Sequence, residues 1–185
     1  MSNAIQGFGY RDGVLHVGAI PVSKIADAVG TPTYVYSADG IRASYERLVQ
    51  AFSPLRARPH YAVKACSNLH ICRLLHSLGA SMDVVSGGEL ERAWLAGAPM
   101  EEIAFAGVGK TADEVRAALD GRFSPMLNEA ARFGRDDVEK RGPVGMFNIE
   151  SASELERLAA IAGELGIVAR ACIRVNPDVD PHTHE

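Results

Sequence analysis

Lys64 is the residue of this 185-residue sequence whose position most clearly permits chemistry. It ends the segment HYAVK (60–64), an apolar run typical of a β-strand, and no acidic residue is adjacent to it. In parallel α/β folds the reactive groups collect at the carboxyl ends of the strands. A lysine there that is partly removed from water is favoured as a neutral nucleophile for Schiff-base chemistry. The commoner alternative is a lysine that extends from a strand end into solvent.

Polar side chains lie in or just after other predicted strands, namely Asp83, Ser86, Asn148, Glu150 and Arg174. Asp83 lies within the apolar segment SMDVV (81–85), where a buried carboxylate without a partner is costly. We therefore expect Asp83 to pair with a cation at the same edge of the sheet. Lys64 is the candidate, because it ends the preceding strand.

Three short segments match the capping box, in which a Ser or Thr side chain caps a helix amide and a Glu three residues later reaches back. They are Ser86 with Glu89, Thr111 with Glu114, and Ser151 with Glu154. For Glu89 this structural role is the simplest one. The glycines after Ser86 also permit an anion at the helix N-terminus, on weaker grounds.

Two other motifs are rejected as ligand sites. The segment GVGK (107–110) lacks the spacing of a nucleotide-binding P-loop, since no glycine precedes Gly109 at the required distance. His182 and His184 lie near Asp178 and Asp180, but a solvated loop explains this cluster better than a metal site. We expect no bound metal.

Composition narrows the class of protein. The three cysteines form no CxxC motif and are odd in number, which favours free thiols in a reducing cytoplasm over disulfides. The net charge of −4 and the absence of basic blocks argue against nucleic-acid binding. No apolar stretch approaches the roughly 20 residues that cross a bilayer, and the first residues do not resemble a signal peptide.

Strands alternate with amphipathic helices along most of the chain, which predicts βαβ crossovers and a parallel sheet. The predicted strands of this sheet are 60–63, 81–85, 103–106, 145–149 and 168–175. A further strand is expected at 32–37, before a helix at 38–52. The alternation fits a (β/α)8 barrel or an open doubly wound sheet. Because a barrel needs about 250 residues, we expect the sequence to be the amino-terminal part of a longer chain.

Two segments depart from the alternation. Residues 1–30 contain a short strand and a helix outside the repeat. Residues 120–143 are charged and rich in Pro and Gly punctuation, which predicts a surface insertion between a helix and the next strand.

Several segments, in this order, closely resemble the amino-terminal half of the diaminopimelate decarboxylase family: YAVKACSNLHICRLLHSLGASMDVVSGGELERAWLAGAP, IAFAGVGKTADEV, MFNIESASELERL and RVNPDVDPHTHE. This family belongs to the fold-type III pyridoxal-phosphate decarboxylases. The resemblance runs from about residue 14 to the end of the chain. It implies an α/β fold in which residues 31–185 form the first part of an alanine-racemase-like (β/α)8 TIM barrel, and residues 1–30 contribute to a separate β-domain.

The resemblance also implies a cofactor, a reaction and site residues. Lys64 holds pyridoxal 5'-phosphate covalently, Asp83 is the acidic residue beside it, and Arg174 and Glu89 are near the cofactor. Ser86 joins the cofactor-binding candidates as the first residue of a helix-capping segment. In the implied reaction, the amino group at the D-configured centre of meso-2,6-diaminopimelate displaces Lys64. Carbon dioxide then leaves, the cofactor ring accepts the electron pair, and reprotonation gives L-lysine.

Two departures from the family pattern stand out. Cys66 replaces the Asn that usually follows the lysine in this motif, and residues 120–143 exceed the usual connection. The family's stacking histidine, phosphate-binding glycine loops and partner-subunit cysteine motif have no counterpart in the 185 residues. We therefore expect the 185-residue polypeptide alone to be inactive, and the complete enzyme to be a cytoplasmic homodimeric lyase that acts on an amino acid.

Two kinds of alternative remain. Within the same fold, the substrate is arginine, ornithine or carboxynorspermidine. In the other class, the protein is a non-catalytic barrel that keeps the lysine and binds pyridoxal phosphate without turnover.

Overall fold

The computed structural model describes residues 6–122 and 142–179, which divide into two compact units. One unit consists of the described residues up to Pro59 together with Ser77–Ala80, and the other consists of the remainder. Most of the predicted insertion and the histidines near the end of the sequence (His182 and His184) lie outside the described residues.

The first unit starts with a three-stranded antiparallel sheet, followed by two helices. Asp12 and Gly13 both have positive φ, of 50° and 77°, which is the backbone geometry of a two-residue type I′ hairpin turn. The elements are β1 (Phe8–Arg11), β2 (Val14–Val17), β3 (Ile20–Pro21), α1 (Val22–Val29) and α2 (Ala38–Phe52).

The strand predicted at residues 32–37 is wrong. These residues belong to no strand in the structure, and Tyr34 is 91% exposed. Aromatic and β-branched residues favour the extended backbone, but a strand also requires a neighbouring strand to complete its hydrogen bonds. Ser37, at the end of this segment, instead caps α2 by accepting a hydrogen bond from Gly40 N.

The second unit is a five-stranded parallel sheet flanked by helices. Its strands are β4 (His60–Ala62), β5 (Ser81–Val84), β6 (Ile103–Phe105), β7 (Met146–Ile149) and β8 (Ala171–Ile173). The helices are α3 (Leu69–Ser77), α4 (Gly87–Leu95), α5 (Ala112–Asp120) and α6 (Ala152–Leu165). All five predicted strands of the parallel sheet are therefore confirmed, with shorter bounds.

The strand order is β4-β5-β6-β7-β8, so each strand pairs with its neighbour in the chain. An open doubly wound sheet reverses its strand order at a switch point, and no reversal occurs among these described strands. The order is that of consecutive (β/α) units in a barrel, so the barrel interpretation is confirmed over the doubly wound sheet.

The core of the second unit lies between the sheet and its helices. The Phe105 and Phe147 rings, on adjacent strands, stack with their centroids 6.0 Å apart. Leu90 and Leu95 of α4 and Val115 and Leu119 of α5 are buried in the same cluster. Burial of these side chains holds the helices against the sheet, which fixes the loops at the carboxyl ends of the strands.

The flanks of the predicted insertion meet next to α5. Val144 N donates a hydrogen bond to Ala118 O at 2.9 Å. Residues 123–141 themselves lie outside the described residues, so the insertion stays a prediction. Within the ranges 6–122 and 142–179, no helix has both the length and the apolar character needed to cross a membrane.

Candidate active site

A cavity of about 690 Å³ opens at the carboxyl edge of the parallel sheet. Strand ends and βα loops line it, as the general geometry of parallel α/β folds predicts. The four charged side chains that line it balance in sign, since Lys64 and Arg174 are positive and Asp83 and Glu150 are negative. The cavity is therefore the natural candidate for a small-molecule site.

Lys64 reaches the cavity from a tight turn. Strand β4 ends at Ala62, and Val63–Ala65 form a single turn of 3-10 helix. Val63 is fully buried, whereas Lys64 is exposed. The partial desolvation of Lys64 expected from the sequence is thus not present, because the 3-10 turn places the residue at the open side of the cavity.

Asp83 lies on β5, opposite Ala62 in the parallel register. Burial raises the pKa of Asp83 above its usual value, and the positive charges of Lys64 and His60 oppose this shift. In the part of the chain that the structure describes, Asp83 forms no direct ion pair with Lys64. The predicted pairing is therefore corrected to an interaction at longer range across the cavity.

Arg174 follows β8 and is held by Glu150, which follows β7. Arg174 Nη1 donates to Glu150 Oε2 at 2.9 Å, and Gly107 N donates to Glu150 Oε1 at 3.0 Å. The Glu150 side chain is 11% exposed, whereas that of Arg174 is 70% exposed. One carboxylate thus joins the ends of three strands.

Lys110 occupies a buried position behind the cavity wall. It is 3% exposed, and its ammonium group donates to Gly107 O at 2.7 Å, to Asn148 O at 2.9 Å and to the Glu154 carboxylate. Its Nζ also lies 5.7 Å from the centroid of the Phe105 ring. All three donors of the ammonium group are used, so Lys110 is not available as a nucleophile. It links the loop after β6 to strand β7 and to the first turn of α6.

The three predicted helix caps are confirmed, but only one is a complete capping box. Ser86, Thr111 and Ser151 each accept a hydrogen bond from the amide three residues later. Only at the Thr111 cap does the glutamate side chain, that of Glu114, also accept a hydrogen bond from the backbone amide of the N-cap residue.

At the other two caps the glutamate reaches one residue further back. The Glu89 side chain accepts a hydrogen bond from the Val85 amide, and the Glu154 side chain accepts one from the Glu150 amide. Val85 and Glu150 each directly precede the N-cap residue. The predicted boxes at Ser86 and Ser151 are therefore wrong in this detail. In both cases the chain enters the helix directly from a strand, so the amide before the N-cap is within reach.

The predicted site residues separate into two groups. Lys64, Asp83 and Arg174 line one cavity. Ser86 and Glu89 lie at the N-terminus of α4, and both side chains are used for capping there. The two are not among the residues that line the cavity.

Two residues that matter for the site were not selected from the sequence. From the sequence, Glu150 is one of several residues at strand ends, and Lys110 belongs to a segment that lacks the P-loop spacing. Their positions after strands were the available signal. The partner of Glu150 is Arg174, 24 residues away, and the partner of Lys110 is Glu154, 44 residues away. The sequence alone does not pair residues at such distances.

Known proteins resemble this chain over almost its whole length. The family described as pyridoxal-dependent decarboxylase, pyridoxal binding domain, matches residues 38–185. Diaminopimelate decarboxylase of Pseudomonas aeruginosa is 42% identical over 179 residues, covering 96% of this chain and 38% of the relative. The corresponding protein of Aquifex aeolicus is 45% identical over 175 residues, covering 95% of this chain and 36% of the relative.

A solved structure shares the fold. Diaminopimelate decarboxylase from M. jannaschii, crystallised in a complex with L-lysine, is 34% identical with a TM-score of 0.77. The match covers 97% of this chain and 38% of that chain. The chain thus spans somewhat more than a third of the length of the relatives it matches.

Proposed function

This chain belongs to the pyridoxal-dependent decarboxylases, and on that premise we propose that it forms the amino-terminal part of the cofactor-binding barrel of a diaminopimelate decarboxylase. The complete enzyme would convert meso-2,6-diaminopimelate into L-lysine and carbon dioxide. The observation that carries the proposal is the lysine at the end of the first barrel strand, which shares one cavity with Asp83 and Arg174. The relatives of 42% and 45% identity support the choice of substrate.

The residues present fit pyridoxal phosphate. The cavity of about 690 Å³ lies within the range of about 300–1,000 Å³ typical of small-molecule sites. It offers a primary amine for the aldehyde carbon and a guanidinium for an anionic oxygen, together with carboxylates that balance their charges. When bound, pyridoxal phosphate supplies an electron-accepting ring that stabilises the negative charge left when carbon dioxide departs.

Three of these charged residues then have distinct tasks. The ε-amino group of Lys64 would hold the cofactor covalently until an amino group of the substrate takes its place. The Asp83 carboxylate lies in the field of Lys64 and balances positive charge on the cavity side of β5. Arg174, at the end of β8, would donate hydrogen bonds to an anionic group of the cofactor.

We further propose that residues 1–30 contribute to a separate β-domain and that the complete enzyme is a cytoplasmic homodimer. The antiparallel strands β1–β3 supply the material for such a domain. Neither a nucleic acid nor a membrane is needed by this function.

Borohydride reduction of the complete, cofactor-loaded protein tests the site. Reduction makes the bond between the cofactor and its lysine permanent, so mass spectrometry should find the cofactor on the peptide that contains Lys64. Lys64→Ala should abolish this capture and leave the fold intact, whereas Lys24→Ala, at an exposed position on α1, should leave it unchanged. Recovery of the cofactor on Lys110 would contradict the assignment.

Carbon dioxide release tests the substrate. The complete protein should release carbon dioxide from meso-diaminopimelate, and much more slowly or not at all from arginine, ornithine or carboxynorspermidine. A preference for one of the latter would replace the proposed substrate. Cofactor binding without release from any of them would identify a non-catalytic barrel.

A further inference from the structure

We propose that Glu150 is a positioning residue, which holds the guanidinium of Arg174 at the cofactor cavity and balances its charge. The inference rests on the proposed function, because it concerns the same cavity. It assigns a role to a carboxylate that is not among the residues expected to touch the cofactor.

Arg174 needs such a partner. Its side chain is 70% exposed, and a long side chain that is free in solvent loses about 2 kcal/mol of rotamer entropy when it is fixed. In the described structure the guanidinium is oriented by its charge-assisted hydrogen bond to Glu150 Oε2. Glu150 therefore provides the restraint that directs the remaining donors of Arg174.

Glu150 is itself held from two sides. Its Oε1 accepts the Gly107 amide, and its own amide donates to Glu154 Oε2 at 2.8 Å. Gly107 has a φ of +100°, and a Cβ at this position would lie 3.1 Å from Val85 O. The amide that anchors Glu150 thus belongs to a backbone with little room to move.

The buried pair of Lys110 and Glu154 completes the support. Lys110 binds the carbonyl of Gly107, and Glu154 binds both Lys110 and the amide of Glu150. The backbone on either side of the Glu150 carboxylate is therefore fixed before any ligand arrives. This arrangement is what a positioning residue requires, since the first contacts must be supported by a rigid second layer.

Charge balance gives Glu150 a second effect. The charged residues that line the cavity are Lys64, Arg174, Asp83 and Glu150, two of each sign. Neutralising Glu150 leaves an excess positive charge and releases Arg174 at the same time. Replacement by Gln also leaves one amide oxygen to serve both Gly107 and Arg174, and its NH2 group cannot accept from the guanidinium.

A double-mutant cycle in the complete protein tests the proposal. The readout is the affinity of the apoprotein for pyridoxal phosphate, measured by absorbance titration for the wild type, Glu150→Gln, Arg174→Gln and the double variant. We expect each single variant to weaken affinity by about tenfold, the scale for loss of a hydrogen bond to a charged group. If Glu150 acts through Arg174, the double variant should be no weaker than Arg174→Gln alone.

Multiplication of the two effects, or an unchanged affinity in Glu150→Gln, would overturn the proposal. Glu164→Gln is the matched control, because Glu164 forms an exposed ion pair with Arg116 away from the cavity. Should Glu150→Gln fail to fold, Glu150→Asp takes its place in the cycle, since it keeps the charge but shortens the reach to Arg174.

The same measurements separate this inference from the proposed function. Suppose that the wild-type protein captures the cofactor on Lys64 and decarboxylates diaminopimelate, but the effects at Glu150 and Arg174 are independent. Only the positioning role is then contradicted. If the wild type binds the cofactor without decarboxylation, and the double-mutant cycle shows coupling, the proposed function is contradicted and the positioning role is kept. A wild type that does not bind pyridoxal phosphate overturns both.

Discussion

Lys64 lies where the backbone changes from a strand to a turn of 3-10 helix. The extended chain of β4 stops at Ala62, and Val63 then fills the core while Lys64 faces the cavity. A strand continued by one more residue would also alternate the two side chains between faces. The 3-10 turn additionally redirects the chain toward α3, which places the amine at the edge of the sheet.

Cys72 is protected by its surroundings, in contrast to Cys172. Cys72 is fully buried, and burial, with a smaller contribution from Cys66, raises its pKa to about 11. Only on the order of 0.1% of such a thiol is ionised at pH 8, and the thiolate is the reactive form. Cys172 is exposed at the cavity.

We expect iodoacetamide at pH 8 to alkylate Cys172 in the native 185-residue protein and to leave Cys72 unmodified, as measured by peptide mass spectrometry. Labelling in concentrated urea is the control, because both thiols should then react. Alkylation of Cys72 at the rate of Cys172 in the native state would show that α3 does not bury it.

At the scale of secondary-structure elements, the first turns of α5 and α6 are each linked to the preceding βα unit. Glu114, in the first turn of α5, accepts the Gly87 amide at the start of α4. Glu154, in the first turn of α6, accepts from Lys110 in the loop before α5. Helix capping and loop positioning are therefore performed by the same carboxylates.

Glu114 links the stability of the protein to pH. Burial raises the pKa of Glu114, but hydrogen bonds from the Thr111 amide, the Gly87 amide and the Thr111 hydroxyl outweigh it and lower the pKa below its usual 4.5. A carboxyl with a lowered pKa in the folded state stabilises that state above its unfolded pKa. This contribution is lost as the pH falls through the lowered value.

Glu114→Gln should therefore reduce the free energy of unfolding at pH 7 by about 0.5–2 kcal/mol, the range for loss of a cap. The difference from the wild type should narrow below pH 4.5, because protonation then removes the charge from the wild type as well. Urea unfolding followed by circular dichroism measures both. Asp113→Asn, on the same exposed turn, is the control, and a difference that stays constant from pH 7 to pH 3.5 would contradict the assigned cause.

The pair of Lys110 and Glu154 links the loop before α5 to the first turn of α6 at a buried position. Lys110→Met should lower the free energy of unfolding by about 3–5 kcal/mol, because it leaves a buried carboxylate without its cation. Glu154 is 7% exposed, and in that variant its carboxylate keeps, among its partners in the described structure, the Glu150 amide.

Urea unfolding at pH 7 is the measurement, with Glu156→Gln at an exposed position on α6 as the control. The double variant Lys110→Met with Glu154→Leu should recover much of the loss, since removing both charges leaves neither unpaired. A loss below about 1 kcal/mol in the single variant would mean that water reaches the pair.

At the scale of the whole molecule, the described sheet has an edge at β8. Its neighbour on one side is β7, and all three residues of β8 are exposed. Ile173 is 68% exposed. An apolar strand with unpaired backbone groups on one side is a template for pairing with another chain.

We expect the 185-residue polypeptide in solution to self-associate with rising concentration, as measured by sedimentation velocity. Ile173→Lys should reduce the association, because a charge on an edge strand opposes pairing. Val29→Lys, at an exposed apolar position on helix α1, should not. A monodisperse monomer at all concentrations would show that the edge is protected by other means.

Much of the second unit could be predicted from the sequence because the signals are local. Each of these signals depends on residues within a few positions of each other. They are the strand and helix periodicity, the three cap residues, and the polar residues in or just after strands (Lys64, Asp83 and Arg174). The hydrogen bonds that the hydroxyl groups of Ser86, Thr111 and Ser151 accept span only three residues. Such contacts form wherever the local pattern forms.

Other features depended on the tertiary structure. The sequence favours extended backbone at 32–37, but only the fold decides whether a partner strand exists, and none pairs with this segment in the described chain. Likewise, the spacing of Glu150 and Arg174 carries no sign that they form an ion pair. That contact arises because β7 and β8 pair with Ile149 opposite Ile173, so that the next residues on both strands reach the same cavity. Register between distant segments is set by burial of the whole sheet. For this reason the sequence identifies the candidate residues, whereas the tertiary structure determines which of them are in contact.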